Sequence, residues 1–439
     1  MRSARLAGHR FVAIAILTTV FAALLIPMSA AAQILVDCSG ANPNAFPSVT
    51  AALPSAGPGS TILVTGTCNE NVFIQGATSL NLGAWFGQTA TINGNISIDH
   101  SPFVYLYGLN VTNPSGDGID VGFSEVILDT CTSNGNGGNG LNAIPAGNVV
   151  ILAAASFDGN GGSGISAGGN SWVGIATWLS PADISNNLGP GFNADASMVG
   201  TVGNITVTNN GSPGAFGGGP GILLLDGAIG NLGSYWGVNL IQGNFGGGIA
   251  AREGSRMSVF GPTGGTGNTI QNNGPFGVQA AQGAQVTIYE PSVISDHSGP
   301  GVDVLANSQA FFFGATQVLR NGTSSDPRTA GVRVDGNSEA YFRGGTVSQN
   351  SGPGILALVN SSADFAGMTF SDNSGGIITC DTSAFMISDF ARPALMPSVH
   401  CKTPHALGGG RFNATPPKPF DLSRYLAMEA RYKKIATKR

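Results

Sequence analysis

Apolar and polar residues alternate along most of this chain in short runs, and each run ends at a turn. Residues 301–354 show the pattern well. Gly301-Val-Asp-Val is followed by Ser308-Gln-Ala-Phe-Phe-Phe-Gly314, then Thr316-Gln-Val-Leu, then Asn321-Gly322. The next stretch repeats the order: Gly331-Val-Arg-Val, Ser338-Glu-Ala-Tyr-Phe-Arg-Gly344, Thr346-Val-Ser, Asn350-Ser-Gly352. Period-two alternation over three to six residues, bounded by Gly, Asn and Ser, predicts strands, three to a unit. A Gly-apolar phrase opens each unit, from Gly118-Ile119 through Gly191-Phe192, Gly277-Val278 and Gly331-Val332 to Gly376-Ile377. Successive phrases lie 22 to 30 residues apart. Three strands per such period, with no helical stretch between them, predict an all-β solenoid of stacked coils. Coils in such a solenoid stack at about 4.8 Å.

The alternation also assigns faces. Ala310 and Phe312 point inward and repeat as Ala340 and Phe342, then Ala363 and Phe365, which predicts internal ladders of like residues. Four residues before the glycine stand Asn136, Asn160, Asn187, Asn244, Asn273, His297, Asn350 and Asp372. Asparagine tolerates tight turns and bonds backbone, so this column predicts a structural corner ladder. Two coils carry insertions, 211–219 and 322–330, at that same corner. Their anchors Asn210 and Asn321 are four coils apart, or roughly 19 Å along the axis. At the start, Phe46 to Leu53 predicts a short helix over the open end of the first coil.

Aligning coils places chemistry on the outer faces. On the first sheet the outward column runs Asp120, Asn142, Ser166, Asn193, Leu223, Ala250, Gln279, Asp303, Arg333, Leu356. Asp303 and Arg333 are predicted neighbours, with Asp335 two residues along, and read as an ion pair on a solvated face. As a site, the carboxylate could act as base or bind Ca²⁺, and the guanidinium could hold a uronate. On the second sheet Phe260, Tyr289, Phe313 and Arg343 form one outward column, and Phe311 and Tyr341 belong to the next. A contiguous aromatic stripe of this kind suits a sugar polymer or another partner.

The 439 residues include 67 glycines and only 10% charged residues. Between Ile34 and His400 there are 7 Arg, no Lys and 22 Asp and Glu, a net −15. The last 39 residues carry 9 Lys and Arg against Asp421 and Glu429, a net +7. An acidic body argues against nucleic acid as partner, which needs clustered Lys and Arg. Residues 1–32 combine Arg2, Arg5 and Arg10 with an apolar run from Phe11 to Ile26 and Ala30-Ala31-Ala32. That is the pattern of a secretory signal and predicts a secreted, periplasmic or cell-surface protein, with a retained membrane anchor as the alternative. In that setting Cys38 with Cys68, and Cys380 with Cys401, are expected to staple the two ends, leaving Cys131 as a buried thiol. The expected organisation is signal 1–32, N-terminal cap 33–60, solenoid 61–390, and a linker and basic tail 391–439. Within that tail, 421–436 reads as an amphipathic helix able to meet an anionic surface or fold back on the acidic body.

The opening Pro58-Gly59-Ser60-Thr61-Ile62-Leu63-Val64, then Gly66-Thr67-Cys68-Asn69-Glu70-Asn71-Val72-Phe73-Ile74 and Leu80-Asn81-Leu82, with the coils that follow, resembles the pectin lyase-like superfamily. The resemblance spans about residues 34–390 and implies a right-handed parallel β-helix. It does not imply one activity, because that fold hosts lyases, hydrolases, esterases and tailspikes. The Asn-Thr-Asp, Asp-Asp, Gly-His-Gly and Arg-Ile-Lys motifs of polygalacturonase-like hydrolases do not occur. Ile98-Asp99-His100 matches a pectate lyase-like segment, but its companion Arg-x-Pro-x-x-Arg does not occur. Pro114 to Val121 is similar to a Ca²⁺-binding nonapeptide but does not repeat. No cofactor is therefore expected, with Ca²⁺ the one metal left open.

The expectation is a non-catalytic surface-interaction or polysaccharide-binding protein using Phe260, Tyr289, Phe311, Phe313, Tyr341 and Arg343. The alternatives are a lyase or hydrolase of acidic polysaccharide centred on Asp303, Arg333 and Asp335, and a structural spacer.

Overall fold

A computed structural model describes residues 32–388, apart from 178–179, 202–203, 216–217, 234–237, 262–266, 290, 324–328 and 382. Every strand pairing in it is parallel. A 13-stranded sheet, here the first, runs from Val72–Gln75 to Ile378–Cys380. An 8-stranded sheet, here the third, runs from Ala182–Ser185 to Thr369–Ser371. An 18-stranded sheet, here the second, includes Ser-x-Ala-x-Phe strands such as Gln309–Phe313 and Glu339–Arg343. Early strands of the third side count with it because Thr61–Cys68 continues through a corner. That strand pairs with both Leu80–Ala84 and Ala90–Asn93.

The interior follows the alternation. Phe312 and Phe342 stack at 4.5 Å with an interplanar angle of 11°, and Ala310 pairs with Ala340 and then Ala363. All five are buried, with Phe365 continuing the ring column. Stacking identical residues along an axis lets each coil reuse its neighbour's packing solution, which is how a chain with few bulky residues fills a core.

The corner ladder is continuous. Asn136 Nδ2 donates to Asn160 Oδ1, Asn160 to Asn187, and Asn187 to Asn210, each at 2.8 Å. Asn210 then donates to Asn244 and Asn244 to Asn273. Both insertion anchors, Asn210 and Asn321, are rungs of it. The ladder also explains the repeated glycine. A Cβ on Gly191 would stand 2.7 Å from Asn210 Nδ2, and one on Gly331 would stand 2.7 Å from Asn350 Nδ2. Neither glycine has positive φ, so what it supplies is room for the next coil's amide.

The last rung differs from expectation. Asn350 donates to Asn373, not Asp372. In this coil Ile378 pairs with Ile355, so Ile377 occupies the position glycine holds elsewhere. The phrase Gly376-Ile377 is thus one residue out of register with the coil.

At the N-terminal end Gln33–Asp37 already pairs with Thr61–Thr65, so the sheet begins within the segment read as cap. The helix is shorter than the predicted span, Val49–Ala52 followed by a 3-10 turn Leu53–Ser55. Phe46 instead makes backbone bonds with Leu35 and Asp37. Ser48 caps the helix, and Glu70 accepts from the Val49 and Thr50 amides at 2.7 and 3.0 Å. Val49 and Ala52 are fully buried against the first coil. Cys38 and Cys68 form a disulfide, Cα–Cα 5.1 Å. Cys380 is also disulfide-bonded, and its expected partner Cys401 lies outside the described residues, as do the signal segment and the tail. Cys131 is a buried free thiol, its pKa pushed up to about 12 by burial.

Candidate functional site

The aromatic column lies where the alignment placed it. Tyr289 pairs with Phe313's column through Ile288 opposite Phe312, and Phe313 sits opposite Arg343. Phe260 and Tyr289 stack at 4.6 Å and 6°, and Tyr289 and Phe313 at 5.3 Å and 17°. Tyr341 joins from the adjacent column, tilted by 56° to Phe313 at 6.4 Å and by 51° to Phe311 at 6.2 Å. Arg343 lays its guanidinium 3.7 Å over the Tyr341 ring and pairs with Asp364 at 3.1 Å.

The rings are half-buried rather than exposed. Both faces of Tyr289 are taken up by Phe260 and Phe313. Burial raises the Tyr289 pKa, keeping that phenol a neutral donor. The run spans three coil steps, about 14 Å.

The polar column of the first sheet also forms, but it is not a solvated face. Asp303 is only 5% exposed, so the reading as a surface ion pair is corrected. Gln279 Nε2 donates to Asp303 Oδ2 at 3.1 Å, and Gln279 Oε1 accepts from Arg252 Nε at 3.0 Å. Arg333 Nε faces Asp303 Oδ1 at 3.4 Å, and its Nη2 lies 3.6 Å from Asp335 Oδ2. Neither Asp303 Oδ1 nor Arg333 Nε completes a hydrogen bond. Burial raises the Asp303 pKa, and Arg333 and Gln279 pull it back only in part.

Sequence alternation predicted which side these residues face. It missed the burial of Asp303, which lies between the longer side chains of Gln279 and Arg333 on the adjoining coils. Lower on the same face, Leu223 and Ala250 are fully buried in a small cluster with Phe276, which lies beyond a strand end.

Other candidates are local. Asp99 and His100 pair at 2.8 Å in a turn, with the imidazole stacked on Phe123 at 4.8 Å. The segment similar to a Ca²⁺ nonapeptide brings Asp117 and Asp120 together. Asn142 Nδ2 bridges both carboxylates, at 2.9 and 3.1 Å, and Asn95 donates to Asp120. Burial first, and Asp117 second, raises the Asp120 pKa. Asn95 and Asn142 join this group from the coils on either side, which the motif alone does not reveal.

Comparison with solved structures finds long but distant likenesses. The Agl-KA catalytic domain is 13% identical, with a TM-score of 0.40 over 77% of this chain and 64% of that one. The A-module of the mannuronan C-5 epimerase AlgE4 from Azotobacter vinelandii is 11% identical, with a TM-score of 0.35 over 77% and 93%. PfbA, a surface adhesin of Streptococcus pneumoniae, is 12% identical, with a TM-score of 0.26 over 75% and 87%. No curated protein matches the chain. The family model described as the right handed beta helix region matches residues 258–389. Residues 258–389 thus match a right-handed β-helix, and the strands before them carry the same parallel stacking back to Gln33–Asp37.

Proposed function

We propose that this is an exported, non-catalytic binding protein whose second sheet takes a polysaccharide, or a surface that carries one. The observation that carries the reading is the row Phe260, Tyr289, Phe313 and Tyr341, half-buried in register on one sheet face with Phe311 and Arg343 alongside. Amphipathic rings with apolar bodies and polar tips suit a ligand that alternates C–H surface with hydroxyls. The signal-like pattern of residues 1–32 and the disulfide Cys38–Cys68 fit an oxidising compartment.

The test is retention of the purified protein on a panel of immobilised glycans. Binding to at least one glycan, lost in Tyr341→Ala with unchanged circular dichroism, supports the proposal. No retention on any acidic or neutral polymer refutes it and leaves the enzyme and the structural spacer as the readings.

A second reading, a lyase or hydrolase of acidic polysaccharide, draws on Asp303, whose buried carboxylate is shifted up beside Arg333. A raised carboxylate pKa next to a fixed cation is an arrangement catalytic acids use. Release of unsaturated, ultraviolet-absorbing or reducing products from pectate or alginate, abolished by Asp303→Asn, would establish it over the binding role.

A further inference from the structure

A second set of outward residues on the second sheet is buried more deeply than its position explains. On four neighbouring strands, Val104–Tyr107, Glu125–Asp129, Asn148–Leu152 and Trp172–Ala176, alternate residues fill the main core. The residues between them point away from it, yet Tyr105 is 1% exposed, Ile127 0%, Val150 1%, Leu152 4% and Trp172 5%. They form a cluster separate from the core, and all its described members lie on or beside these four strands.

The same sheet provides the control. Tyr105 belongs to the column that contains Phe311 and Tyr341, which remain half-exposed. Strand neighbours alone bury a small outward residue such as Thr287, 1% exposed, but leave the rings of Phe311 and Tyr341 partly open, so burial of the Tyr105 and Trp172 rings to 1% and 5% needs a layer on top. Asp129, 5% exposed and accepting from the Tyr105 hydroxyl, puts a carboxylate inside this apolar patch.

We propose that this patch is the docking site of the chain's own C-terminal segment 421–436. On a helix, Leu422, Tyr425, Met428, Tyr432 and Ile435 fall on one face, and Arg424, Arg431 and Lys434 fall away from its centre. Sixteen helical residues span about 24 Å, enough to cover the four strands, whose three steps are about 14 Å. The segment can reach. From Ser388 to Trp172 is eight strand steps of the second sheet, about 38 Å. The 32 residues between 388 and 421 extend to about 100 Å. Charge favours the match as well, because a tail of net +7 meets a body of net −15 and a buried Asp129. Docking converts an exposed apolar patch into core and leaves the aromatic ladder, farther along the same sheet, available to a ligand.

The experiment is hydroxyl-radical footprinting of the full-length chain, reading oxidation of Tyr105 and Trp172 against Phe311 and Tyr341. The double variant Tyr425→Asp, Tyr432→Asp lies wholly in the tail and cannot misfold the solenoid. It should raise labelling at Tyr105 and Trp172 severalfold and leave Phe311 and Tyr341 unchanged. Unchanged protection of Tyr105 and Trp172 overturns the proposal, as does a rise confined to Phe311 and Tyr341, which would place the tail on the ladder. A chain begun at Gln33 that keeps the tail should stay protected; loss of protection there assigns the patch to residues 1–32. Protection that disappears on dilution assigns it to a second copy.

Discussion

His297 is the one imidazole in a ladder of asparagines, and this makes a sharp prediction about acid stability. Its Nδ1 accepts from the Asn273 amide at 3.1 Å, and its Nε2–H reaches the Ile270 carbonyl at 3.0 Å. An asparagine rung does the same with Oδ1 and Nδ2, as Asn273 does toward Asn244 and the Ile241 carbonyl. Both uses require a neutral ring, and burial lowers the His297 pKa from 6.5 to about 4.

A histidine whose folded-state pKa is depressed binds its proton more readily when unfolded. Stability is therefore full above pH 6.5 and is lost as pH falls from there toward 4. For that shift the loss is about 2 kcal/mol at pH 5 and about 3 kcal/mol at pH 4. His297→Asn restores the amide rung and removes the proton site. The variant should be close to the parent in denaturant-unfolding free energy at pH 7.5 and more stable by about 2 kcal/mol at pH 5. Other titrating groups cancel in the difference. The nearest, Asp296, is lowered mainly by its pair with Arg320, which the variant retains. A parent-to-variant difference that is the same at both pH values would refute the argument. So would an imidazole that titrates near 6.5 by NMR.

Four further outcomes follow from the geometry. Gly191→Ala sets a methyl 2.7 Å from the Asn210 amide and should cost about 1–3 kcal/mol, read as a lowered thermal midpoint. Cys68→Ser opens a loop of sequence separation 30 and should cost about 3–4 kcal/mol on the chain-entropy model, measured by denaturant unfolding. Phe342→Ala empties a rung of the internal ring column and should cost about 3–5 kcal/mol by the same measure. Asp303 has a raised folded-state pKa, so its ionisation weighs against folding as pH rises above the unfolded value near 4. Asp303→Asn should therefore be relatively more stable at pH 8 than at pH 4, and the reverse trend would contradict the burial argument.

What could be read in the sequence was whatever each coil shares with the next. Turn residues, alternation and the Gly-apolar phrase placed Asp303 opposite Arg333, Phe313 opposite Arg343, and Asn136 to Asn350 on one corner. Parallel stacking turns sequence spacing into spatial neighbourhood, so these placements need no tertiary information. The rule slipped at Asp372 because the glycine it was counted from is displaced by one residue in the final coil, and backbone pairing, not residue type, set the register there.

What only the tertiary structure decided is how deeply each face lies. Asp303 and Tyr105 both point outward by alternation and both are buried, whereas Phe311 and Tyr341, on the same sheet as Tyr105, are half-open. Strand periodicity specifies direction, because it is a property of one backbone. Burial depends on how large the side chains on adjoining coils are and on what lies over the face, and no period in the sequence encodes that.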